Sequence, residues 1–75
     1  MMAHMTRETL YKNLFRHEMT LADACAAIHL RTGAIIKANT VSVQLNRYGH
    51  LSEPQRAAFG MLFNQLDGGP RDRTA

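Results

Sequence analysis

A single cysteine, Cys25, is all this chain of 75 residues has with which to cross-link itself. That narrows the routes by which the chain can fold. Chains this short bury a smaller fraction of their surface than larger ones, and commonly add a disulfide framework, a bound metal or a second subunit to one small core. One thiol excludes an intrachain disulfide. The four histidines, His4, His17, His29 and His50, are scattered. They include no i, i+4 pair that would set two imidazoles on one helix face, and there is no second cysteine to complete a zinc set. No metal or other cofactor is expected. What is left is an apolar core, drawn from a sequence that is 45% hydrophobic, and a homodimer is the expected way of extending it. Cys25 itself lies in the run Ala24-Cys25-Ala26-Ala27-Ile28, where a buried and inert thiol is expected.

The apolar residues recur mostly with helical spacing. Over 6–18, Leu10, Tyr11, Leu14 and Phe15 share one helix face, with Glu8 near the first turn to favour the dipole. Thr20 followed by Asp23 is a capping box, and the helix it opens carries Leu21, Ala24, Cys25 and Ile28 on one side. Ser52, Pro54 and Gln55 open a last helix to about Leu66, with Ala58, Phe59, Leu62, Phe63 and Leu66 as its core stripe. Gly68, Gly69 and Pro70 stop it.

Residues 33–48 read two ways. Val41, Val43 and Leu45 alternate with Ser42, Gln44 and Asn46, a strand-like period in a stretch rich in β-branched residues. Val41, Leu45 and Tyr48 also fall on one helical face. Helix is the favoured reading; a short β-hairpin within 34–47 is the alternative. The expected fold is therefore all-α, a single domain of three to four helices with tails at 1–5 and 68–75.

Nine Lys and Arg against six Asp and Glu give a net charge of only +3, so its distribution carries more information than its size. Residues 24–52 contain no acid, while Arg31, Lys37 and Arg47 stand there with His29 and His50. Interspersed are the polar donors Thr32, Asn39, Thr40, Ser42, Gln44 and Asn46. Such a stretch suits a phosphate-facing surface.

Overlapping it, the run TLADACAAIHLRTGAIIKA over 20–38 resembles the helix-turn-helix DNA-binding motif of many small bacterial and phage repressors. The resemblance implies that Ala24 and Cys25 form the close contact between two short helices, and that Ile28, Leu30, Ile35 and Ala38 seal their underside. It implies a turn at His29 and a recognition helix beginning near Thr32 as N-cap. Arg31, Thr32, Gly33, Ile36, Lys37 and Thr40 then face outward. Arg31 and Lys37 would meet phosphate or guanine, Thr32 a phosphate or a base, Ile36 a thymine methyl, and Asn39 an adenine. Arg47 and His50 would lie beyond that helix, on the DNA backbone. A second register ends the recognition helix over 43–49, because Gly49 is well placed just after it.

The function expected is a small sequence-specific regulator, a repressor-like homodimer on double-stranded DNA. The alternative is a protein–protein interaction module, an antagonist or adaptor whose five methionines, Ile35-Ile36, Phe59 and Phe63 supply an adaptable apolar face. An enzyme is not expected. The chain has no phosphate-cradling glycine loop, no paired carboxylates at helical spacing and no nucleophile with a base and orienting acid. No stretch has the pattern of a leader peptide or the length of a membrane span, so a cytoplasmic location is expected.

Overall fold

The structure, a computed structural model, describes residues 5–68. Four helices follow one another with no sheet among the described residues: α1 (Arg7–Arg16), α2 (Leu21–Thr32), α3 (Ala38–Tyr48) and α4 (Glu53–Leu66). The chain is all-α, as its periodicity predicts, and no described helix is long and apolar enough to cross a membrane. The tails expected at 1–5 and 68–75 lie outside the described residues except for Met5 and Gly68. Met5 is tied down. Its carbonyl accepts from the Leu51 N–H at 2.9 Å, an antiparallel bridge joins Thr6 to His50, and its side chain packs against the core.

Local chemistry sets the helix ends. At α2, Thr20 Oγ1 accepts from the Asp23 N–H and the Asp23 carboxylate accepts from the Thr20 N–H, each at 3.1 Å. The Thr20 cap is worth about 1 kcal/mol. At α4 the Gln55 side chain reaches back to the Ser52 N–H at 3.1 Å. Gly33 (φ 80°) and Gly49 (φ 79°) close α2 and α3 in the left-handed region and donate to the His29 and Leu45 carbonyls at 2.8 Å. Glycine is suited to both positions because it has no Cβ to crowd the following carbonyl.

Helix α1 ends differently. Glu18 (φ 56°) is the only non-glycine residue at positive φ among the described residues. Its N–H donates to Phe15 O and the Met19 N–H to Leu14 O, both at 3.0 Å. These are the paired bonds of a Schellman motif. Replacing Glu18 with glycine is expected to relieve the strained backbone and stabilise the monomer by about 1 kcal/mol. Thermal melts in dilute solution would show it as a rise of roughly 4–8 °C. An unchanged or lower midpoint would mean that Glu18 does not hold this conformation.

Helix α2 packs against each of the other three. Its Ala24, Cys25 and Ile28 meet Leu10 and Leu14 of α1, Val41 and Leu45 of α3, and Phe59, Leu62 and Phe63 of α4 in one buried cluster closed by Leu51. The small side chains at 24 and 25 let neighbouring helices approach α2 closely. Cys25 is buried, and burial pushes its thiol pKa up, away from the reactive range. The C-terminal ends of α1 and α4 are joined by Arg16, whose Nη1 lies 2.6 Å from Asp67 Oδ1. Hydrogen bonding to that guanidinium holds the Asp67 carboxyl below its ordinary range. His17 stacks on Phe63, rings 5.9 Å apart and nearly parallel.

Two expectations drawn from the resemblance are corrected, and the open choice at 34–47 is resolved for the favoured helix. The second helix of the motif does not start near Thr32, and His29 is not in a turn: α2 runs through both. Thr32 Oγ1 donates back to the Ile28 carbonyl at 2.9 Å and accepts from the Ala34 N–H at 3.1 Å, so its hydroxyl closes α2 instead of capping a new helix. The hairpin alternative within 34–47 gives way to α3, which buries Val41 and Leu45 and leaves Val43 42% exposed. The sealing role expected of Leu30 and Ile35 is not met, for they are 84% and 76% exposed, while Ile36, expected to face outward, packs against the core. Leu30 lies on α2 away from the Ala24–Ile28 side. Through 33–37 the backbone is not helical, so the helical spacing that grouped Ile35 with Ile28 and Ala38 does not hold there, and Ile35 faces out while Ile36 meets the core.

Candidate nucleic-acid interface

Helix α3 has one side in the core and one exposed. Val41 and Leu45 anchor it. Asn39, Val43 and Arg47, spaced i, i+4, i+8, form the opposite face with Thr40 beside them, all exposed. Lys37 precedes the helix as its N-cap, with backbone φ −94° and ψ 138° and no side-chain capping bond. The first-turn N–H groups therefore have no acceptor from the cap side chain, and no acid stands in that turn. A helix start of this kind, with a lysine at its head, attracts anions through the N–H groups and the dipole together.

A neighbouring base extends the surface. Arg7, at the start of α1, donates from Nη2 to Asn46 Oδ1 on α3. Arg7, Tyr11, Ser42, Leu45 and Asn46 line a shallow cleft of about 290 Å³ between the two helices. Several acids are committed elsewhere: Asp23 to its capping box, Asp67 to Arg16, and Glu53 to Arg56 at 3.7 Å.

The residues singled out from sequence thus separate into two groups. Asn39, Thr40 and Arg47 come together on α3, with Lys37 at its N-cap. Arg31 and Thr32 belong to the last turn of α2 and Gly33 to its C-cap. Arg31 Nε donates to Gln65 Oε1 of α4 at 2.7 Å, an anchorage between helices. Ile36 is half-buried in the connection. The His50 Nδ1–H donates to the Leu51 carbonyl at 2.9 Å. Val43 and Arg7 were not among the expected contact residues. The i, i+4, i+8 spacing of Asn39, Val43 and Arg47 is the signal that reveals Val43; nothing near Arg7 in the sequence announces that it meets Asn46. The connection at 33–37 is also longer than the motif's usual turn of roughly 3–4 residues. Comparison of the chain with protein-family models, with curated proteins and with solved structures finds no match in any of the three.

Proposed function

We propose that the chain is a sequence-specific DNA-binding regulator that lays the outward face of α3 in the major groove and acts as a homodimer. The observation that carries this reading is the single exposed face of Asn39, Thr40, Val43 and Arg47 on a helix that has no acid and is headed by Lys37. The residue types suit base edges. An asparagine pairs with adenine, an arginine with guanine, and the methyl groups of Val43 and Thr40 suit a thymine methyl. Lys37 and the α3 N-terminus suit a phosphate. The succession α2, connection, α3 keeps the order of a helix-turn-helix unit, with α3 as the second helix. In a two-fold dimer the two copies of α3 would address half-sites about one turn of DNA apart.

The test is binding of the purified protein to a fluorescent random-sequence duplex across a salt series. Affinity is expected to fall linearly on a log–log plot, with a slope of about −0.9 for each phosphate neutralised. Selection of a preferred site from a random pool would then follow. No binding at low salt would overturn the proposal. A second reading, a protein-interaction module, is favoured by the exposure of Leu30 and Ile35 around the α2–α3 connection. It no longer draws on Phe59 and Phe63, which are core residues.

A further inference from the structure

The C-terminal half of α1 presents a second apolar surface, which meets the cleft beside α3 only at Tyr11. There Phe15 stands 85% exposed at the rim of an apolar groove of about 470 Å³, which it lines together with Tyr11, Leu14, Met19, Thr20 and Leu21. We infer that this face is the two-fold interface of the homodimer, in which Phe15 of each copy fills the groove of the other. A second copy is the occupant because the patch is complementary to itself. Knob and socket are neighbours on one face, as a two-fold interface requires, since both subunits contribute the same surface.

Charge supports the same occupant. Lys12 and Glu18 stand three residues before and three residues after Phe15, and neither has an ion-pair partner among the described residues. Two copies of this segment crossing antiparallel at Phe15 bring Lys12 of one to Glu18 of the other, and by symmetry the pair forms twice. Glu18 also holds left-handed backbone that glycine would occupy without strain. A side chain kept against its backbone preference points to a use for that side chain. Pairing across the dimer axis is such a use.

This deepens the homodimer reading above by naming its interface, and its test is made without DNA. Molecular mass measured across a concentration series should show a reversible dimer. Phe15→Ser, at a position too exposed to hold the fold, should raise the dimer dissociation constant by at least about thirtyfold, as loss of a central aromatic anchor does, with the helical circular-dichroism spectrum retained. Lys12→Glu and Glu18→Lys should each weaken the dimer by several-fold, since each replaces two attractive pairs by two repulsive ones. The double reversal should restore it. A chain that stays monomeric at every concentration, a dimer indifferent to Phe15→Ser, or a double reversal no better than the single ones would each overturn the inference. A monomer that still binds DNA with the expected salt dependence would overturn this interface and the homodimer, and leave DNA binding by α3 standing.

Discussion

Replacing Phe59 with alanine is expected to remove a large share of the fold's stability. Phe59 is the largest fully buried side chain, on the α4 face that meets α2, with the Phe63 ring 6.1 Å away. Truncation removes its transfer free energy and leaves a void that the surrounding helices fill only in part, a loss of about 3–5 kcal/mol. A domain of this length has a total stability on the order of 4–11 kcal/mol, so one substitution takes a large share of it. The melting midpoint should fall by roughly 15–30 °C. Phe15→Ala provides the contrast, because Phe15 makes no comparable contribution within the monomer. In dilute solution it should stay within about 0.5 kcal/mol of the parent protein. Similar midpoints for the two variants would mean that the core is not packed as described.

The contrast between these phenylalanines shows what the sequence could convey. Both stand in amphipathic segments, and the pattern around 52–66 identifies Phe59, Leu62 and Phe63 as core because they repeat at helical spacing with a cap before them, although Leu66, expected in the same stripe, is exposed at the end of α4. In α1 the same reasoning groups Leu10, Tyr11, Leu14 and Phe15, yet only Leu10 and Leu14 are buried. The ten-residue helix presents a narrow side to α2, and the width of a buried stripe depends on its neighbours, which periodicity does not contain.

The stretch 33–48 was legible only in part for a different reason. Val41, Val43 and Leu45 satisfy two periods at once, and burial of just Val41 and Leu45 decides for helix over the β-branched propensity. Thr32 followed by Gly33 also has two physical readings. A threonine can cap a new helix or bond back to the carbonyl four residues earlier, and only the left-handed backbone at Gly33 separates them. Shifting the second helix from Thr32 to Ala38 carries the candidate site with it. Arg31 passes to an interhelical bond with Gln65, and Arg47, expected beyond the recognition helix, enters the contact face of α3.

That shift is what the Arg47 variants measure. Arg47→Ala is expected to weaken binding to a selected site by about 5- to 150-fold, the cost of about 1–3 kcal/mol for losing a base-directed arginine, and to relax the preference at one base pair. Its fold should be retained, since the side chain is exposed and leaves the α3 core residues untouched. Arg47→Lys keeps the charge but loses the planar fork that matches guanine. It should therefore preserve the salt slope while losing most of the preference. Lys37→Ala should do the reverse, weakening all sequences alike and reducing the slope by about one, as removal of a phosphate contact does. Arg31→Ala should have the smallest effect on binding because its guanidinium is already engaged by Gln65. If Arg31→Ala proves the most damaging and Arg47→Ala is silent, recognition belongs to the end of α2 and the α3 face is a solvated surface; the opposite order ties recognition to α3.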